Sequence, residues 1–308
     1  MNSFMDAKTL LFVGLGVMLV IYSATVFRGG LVRPTALQSA IGFVTAFFDT
    51  LGIGSFATTT AVYKLRNMVP VKLIPGTLNV GHALSTIVQA FIYTKLVPVD
   101  PTTLILMIAA ASIGSWLGAG VVVHWPRRKI QIGMGIALMG AAALMLMSQF
   151  NIGPGGGDAL GLSGARLGIG LAGNFVLGML MMLGIGLYAP CMILVSLLGM
   201  APTAAFPIMM GSCAFLMPVS SIRFVRTRTY HAQAALGLAL AGFPAVLIAA
   251  YLVQALPLGA VRWLVVVVVV YTSLNMLITA NADKAEEQDG REAGRQDGRK
   301  AGRQEGNA

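Results

Sequence analysis

The sequence predicts an all-α polytopic membrane protein made of two inverted repeats and one extra N-terminal helix. Three observations predict it. Charge is scarce: 10% of the 308 residues are charged and 56% are apolar, where a soluble domain carries about 25% charged residues. A tetrapeptide, Leu51-Gly52-Ile53-Gly54, recurs 132 residues later as Leu183-Gly184-Ile185-Gly186. The basic residues, finally, fall on one side of a membrane only under one way of threading the chain.

Hydropathy sets the elements. Mean hydropathy is +0.80, and residues 9–27, 167–222 and 263–282 contain no charge at all. About 20 apolar residues cross a bilayer. The first segment is 9–27, followed by a loop with Arg28 and Arg33. Residues 1–36 thus form a leading helix and loop. Met1 to Lys8 has no basic stretch and no small-residue cleavage site, so 9–27 reads as a retained helix rather than a signal peptide. Repeat 1 covers 37–150, with apolar runs at 37–66, 73–94, 102–126 and 130–150. A glycine-rich connector at 151–166 leads to repeat 2, 167–281, with runs at 167–198, 203–222, 232–256 and 263–281.

The repeats are read from matches at one offset. Phe43-Val44 matches Phe175-Val176, Ala57 matches Ala189, and Pro70 and Pro75 match Pro202 and Pro207. Paired glycines and prolines mark backbone geometry rather than greasiness, and similarity at a fixed period signals repeated architecture.

The basic residues choose the threading. If every segment crosses, they divide eight against seven. If the two Leu-Gly-Ile-Gly segments enter and return on the same side, Arg28, Arg33, Lys64, Arg66, Lys72, Arg127, Arg128, Lys129, Arg223, Arg226 and Arg228 lie together, eleven against four. Loop-charge asymmetry is the main determinant of orientation. Each half then has three crossings and one re-entrant segment, an odd number, so the halves are inverted. The tail ends in the cytoplasm. Inverted repeats with interrupted segments at matching positions point to a secondary transporter's binding site. The bland alternative is that these glycines only allow helices to pack closely.

The net charge of +10 is no nucleic-acid signal, because basic loops are what a membrane protein needs. Seven of the eleven acids lie in the polar tail 282–308, which has no apolar face and is expected to be disordered. Cys191 and Cys213 fall in apolar segments and suggest neither a disulfide nor a metal site. No paired acids, metal spacing, phosphate loop or nucleophile elbow appears, so the chain is not expected to be an enzyme and needs no cofactor.

Several residues could carry chemistry. Asp49 is the only acid inside a predicted membrane segment. It could carry a coupling proton or cap a broken half-helix; Met181 stands at its place in repeat 2. After the reversals, a restarting half-helix would aim free N–H groups and its positive dipole end at Gly52, Gly54, Gly184 and Gly186, a ready anion site. Ser55, Thr58 and Tyr188 could add hydroxyl donors, and Pro190 suits a first helical turn. Such hydroxyls often bond only their own backbone. Asn79 and His82 share a helical face by their spacing, with Ser212 in the matching stretch of repeat 2. They could face a cavity or simply satisfy one another. The first copy is the more polar and is expected to carry most of the site. A small anion and the lipid bilayer are the expected partners, and a homo-oligomer is left open. The rival class is a membrane anchor that docks a partner through its tail; deleting 283–308 would then abolish docking, whereas a transporter would keep its flux.

From about Ile41 to Ile278 the chain resembles the sulfite exporter TauE/SafE family, also called the toluene-sulfonate uptake permease family. The pattern there is a duplicated membrane domain whose first segment carries Gly-x-Gly-Gly-Gly with a proline a few residues on. Gly52-Ile53-Gly54, Gly184-Ile185-Gly186 and Pro190 match it. Ser55-Phe56, Leu187-Tyr188 and Thr58 depart from it, which marks a divergent member. The resemblance implies movement of sulfite, organosulfonates or related carboxylates across the inner membrane.

Overall fold

A computed structural model describes residues 2–51, 54–152, 157–184 and 186–252, with scattered helical positions from 263 to 278. Ten α-helices are named here: α1 (Asn2–Gly29), α2 (Ala36–Thr50), α3 (Ser55–Leu65), α4 (Ile74–Leu96), α5 (Pro101–Val122), α6 (Arg127–Gln149), α7 (Gly164–Met181), α8 (Tyr188–Leu197), α9 (Ala205–Arg226) and α10 (Ala232–Leu252). Short 3-10 turns, Val71–Leu73 and Pro202–Ala204, precede α4 and α9. The order long helix, short helix, 3-10 turn, two long helices therefore occurs once in each half.

Local chemistry starts these helices where it should. Thr35 and Gln38 form a capping box on α2, with Gln38 N–H donating to Thr35 Oγ1 at 3.2 Å and Thr35 N–H donating to Gln38 Oε1 at 2.9 Å. Asp100 caps α5 by accepting the Thr103 N–H at 2.7 Å, with Pro101 in the first turn.

Burial is arranged for lipid. Val13, Val17 and Val20 of α1, Ile113, Leu117 and Val121 of α5, and Leu240, Phe243 and Leu247 of α10 are exposed. The interior, in contrast, holds Thr77, Asn79, His82, Ser85, Thr86 and Gln89 of α4, all buried. Among the described residues, five helices, at Thr9–Gly29, Pro101–Val122, Gly164–Met181, Ala205–Arg226 and Ala232–Ala250, are long and apolar enough to cross a membrane. Together with the buried polar groups, they mark a multi-pass membrane protein.

Residue contacts fix the directions of the helices. On the central pair α4 and α9, Gly76 lies against Phe224, Asn79 accepts from Ser220 at 3.2 Å, and Thr86 reaches Met217 at 3.4 Å. Numbers rise on one helix as they fall on the other, so the pair is antiparallel. α10 runs alongside α2 and α4 in their direction, with Leu238 against Gly42 and Gly81, and Gly242 against Ala46 and Ser85. α5 runs likewise with α7 and α9: Asn174 donates to the Met107 carbonyl at 2.7 Å, Ile108 packs on Gly211, and Ser115 reaches the Leu216 carbonyl at 3.3 Å. Exchanging α2, α4 and α5 for α7, α9 and α10 leaves this packing scheme unchanged.

The short helices turn back. α3 starts where α2 ends, at Asp49, and retreats along α4, with Thr59 beside His82. α8 retreats along α7, with Leu194 against Gly173 and Leu198 against Gly170. Each pair returns the chain to the end of the bundle at which it began. At that first end, Gly29 meets Tyr230, the Arg33 carbonyl accepts from Gln233, and Thr77 Oγ1 accepts the His231 N–H. The segments bearing the eleven clustered bases are joined to this basic end. At the opposite end, Asp100 N–H bonds the Leu160 carbonyl and Ala201 N–H bonds that of Ala159.

Candidate functional site

The two chain breaks differ in their backbone. In the first, Gly54 has φ +86° and α3 begins at the next residue. In the second, Met182, Leu183 and Gly184 close three successive i to i−3 hydrogen bonds on the end of α7, and Gly184 has φ +88°. Both glycines occupy the left-handed region that residues with a Cβ avoid. Gly52, Ile53 and Ile185 lie outside the described residues.

The first break carries a polar clamp. Asp49, in the last turn of α2, accepts the Ser55 N–H on Oδ1 at 2.7 Å. Its Oδ2 accepts from Gln89 Nε2 of α4 at 3.0 Å, and the same nitrogen donates to Thr50 Oγ1 at 3.0 Å. Tyr93 donates its hydroxyl to the Thr50 carbonyl at 2.6 Å. Asp49 is therefore the N-terminal cap of α3, reaching over the break. The Ser55 N–H is consequently taken by Asp49 in this conformation. The start of α8 has no side-chain cap, and Met181 and Leu187 stand where the first break has Asp49 and Ser55.

The breaks meet. Gly186 faces Phe56 Cβ, 3.9 Å from where its own Cβ would be, and Gly184 faces Thr60 Oγ1 at 3.7 Å. Between them lies a cavity of about 30 Å³, enough for about two waters. The first break contributes Asp49, Gly54, Ser55 and Phe56, and the second Met181, Gly186 and Leu187. Thr86 of α4 and Met209, Met210 and Cys213 of α9 complete the wall. Among the described lining residues the polar side chains are Asp49, Ser55 and Thr86, and none is basic.

Of the residues singled out from sequence, Asp49, Gly54, Ser55 and Gly186 line this cavity. Thr58 bonds its own backbone, donating to the carbonyls of Gly54 and Ser55. Asn79 donates to the Pro75 carbonyl at 2.9 Å and accepts from Ser220, so it faces α9. His82 Nε2 pairs with Thr59 Oγ1 at 3.0 Å. Ser212 accepts from Asn174 at 3.1 Å. Pro190 sits in the first turn of α8; Tyr188 opens that helix, and its side chain lies outside what is described. Gln89 and the Met209-Met210-Cys213 wall were missed. A glutamine inside an apolar helix is a signal of the same kind as Asn79 and could have been found; methionines in a membrane segment are not.

Residues 166–304 match a family model described as sulfite exporter TauE/SafE. The second half of the chain is therefore similar to that family. The match starts within α7, covers α8, α9 and α10, and continues into the tail. The TauE/SafE family is one of membrane transporters. The first half lies outside the match, but its helices repeat the order and packing of the matched half. No curated protein and no solved structure matches the chain.

Proposed function

We propose that this protein is a secondary transporter for a small sulfur oxyanion, sulfite or an organosulfonate, working in the inner membrane by alternating access between two inverted halves. The observation that carries the reading is that both glycine breaks converge on one cavity. Irregular backbone at membrane depth is tolerated only inside protein or beside a water-filled cavity, and paired broken helices are how such transporters build a central site. The antiparallel α4 and α9 support inversion, and the turning back of α3 and α8 supports two re-entrant hairpins. With the basic end on the cytoplasmic side, the tail is cytoplasmic as well.

Asp49 supplies the coupling. Ionised, it holds the Ser55 N–H and occupies the anion site at the start of α3. An entering oxyanion would bring a second negative charge into the same small, low-dielectric space, and two like charges there oppose joint ionisation. Protonation of Asp49 relieves the repulsion and releases the Ser55 N–H to the substrate, so one proton accompanies each anion. A cavity sized for about two waters must widen to admit a sulfonate.

The test is flux into proteoliposomes for a panel of sulfite, organosulfonates and carboxylates, with and without a pH gradient. Flux of a sulfur oxyanion that rises with an inward proton gradient is expected. No flux for any anion in the panel would overturn the reading.

A further inference from the structure

A second set of polar groups lies between the cavity and the basic end. Thr60 Oγ1, the Tyr63 hydroxyl, His82 Nδ1 and both amide atoms of Gln131 are buried without a hydrogen-bond partner. Thr60, Tyr63 and Gln131 are wholly inaccessible and His82 nearly so. Buried polar atoms are almost always paired, and in a membrane span an unpaired one has no lipid substitute for water. Four such side chains on three neighbouring helices call for a common cause.

Their placement supplies it. Gly184 of the second break is met by Thr60 of α3, Leu78 of α4 and Met134 of α6. This level is nearer the basic end than the cavity, whose wall on α3 is Ser55 and Phe56 and on α4 Thr86. Tyr63 is one helical turn further along α3, toward that helix's end, and Gln131 one turn before Met134, toward the start of α6. Both steps lead to the basic end, where α3 finishes at Lys64 and Leu65 and α6 begins at Arg127, Arg128 and Lys129. His82 flanks the same column, joined to α3 through Thr59.

We infer that a passage for the substrate anion runs between α3 and α6, from the cavity to the basic end, lined by Thr60, Tyr63, His82 and Gln131 and collapsed in this conformation. When it opens, water and then the oxyanion take the hydrogen bonds that are unmade here. Two hydroxyls, an amide and an imidazole offer neutral donors, which stabilise a passing anion without trapping it as a buried cation would. The bases at its mouth raise the local anion concentration. This inference rests on the transport reading for the nature of its ligand, but its water access can be measured independently.

Two experiments test it. Thr60→Val, Tyr63→Phe and Gln131→Leu keep size and remove the polar atoms, so each variant should fold with thermal stability equal to or above that of wild type while flux of the transported anion falls at least about tenfold. Thr25→Val, which removes a hydroxyl bonded to its own helix on α1, should leave flux unchanged. Separately, Thr60→Cys and Gln131→Cys should react with a small water-soluble thiosulfonate added from the basic end, faster than the unmodified protein with its buried Cys191 and Cys213, and Gln131→Cys faster than Thr60→Cys. Absence of such labelling, or flux within twofold of wild type in all three apolar variants, overturns the passage. Should the wild-type protein move no anion, the transport reading falls, and labelling still decides whether the passage exists.

Discussion

The Asp49 carboxylate accepts the backbone N–H of Ser55 at 2.7 Å, closing the first break from the far side of Gly54. One side chain thus ends one helix, starts the next and lines the cavity where both halves meet. The same carboxylate is held from α4 by Gln89.

Its two roles separate by substitution. Asp49→Asn keeps an oxygen for the Ser55 N–H but cannot ionise. We expect a folded protein whose anion flux no longer responds to a pH gradient. Asp49→Ala loses the cap and should lower stability by about 1–2 kcal/mol, read as a drop in melting temperature in detergent. An Asn variant that still follows the gradient would leave Asp49 as a cap only.

The two breaks should respond differently to a methyl group. At Gly54 there is open space around the missing Cβ but φ is +86°, so Gly54→Ala should cost about 1–2 kcal/mol through backbone strain alone. Gly186→Ala places its methyl in ordinary contact with Phe56 and projects it at the cavity wall. It should fold normally and reduce flux several-fold, with the substrate KM raised. Equal melting temperatures for the two variants would contradict the strain argument.

Close helix packing gives a sharper stability test. A Cβ at Gly114 would strike the Phe175 carbonyl, and one at Gly178 the Ala111 carbonyl, where α5 meets α7. Backbone cannot step aside as a side-chain tip can. Gly114→Ala and Gly178→Ala should each cost about 1–3 kcal/mol, whereas Gly16→Ala, with nothing nearby, should be neutral or slightly stabilising. Thermal unfolding of the purified variants checks the contrast.

The direction of α3 predicts a labelling pattern. Arg33→Cys and Lys72→Cys should react with an impermeant thiol reagent from one side of the membrane, and Lys95→Cys from the other. Reaction of the first two from opposite sides would mean that α2 and α3 together cross the bilayer, and the first hairpin would be wrong.

Some of this was legible from residues alone. The glycines of Leu51-Gly52-Ile53-Gly54 and its copy marked the sites where helices stop, because a left-handed backbone position leaves a local trace in the choice of residue. Asp49 stood out because an acid in an apolar run is costly to bury. Asn79 and His82 carried the same kind of signal, yet Asn79 Oδ1 meets Ser220, His82 Nε2 meets Thr59, and neither residue lines the cavity. Spacing put them on one face of α4 and could not say which neighbour that face would meet. Gln89, on the same helix, is the residue that reaches the break.

By itself, then, the sequence determined that the chain lives in a membrane and where its helices break. These follow from hydropathy over about 20 residues and from glycine's backbone freedom, properties that neighbours in the chain express on their own. Only the tertiary structure decided who shares the cavity. Met209, Met210 and Cys213 are no more distinctive in sequence than the lipid-facing Val13 or Leu240, and apolar residues on opposite faces of membrane helices read alike. What separates them is which helix packs on which face, and that is set by contacts between residues more than 100 positions apart, such as Ser115 with Leu216 and Asn79 with Ser220.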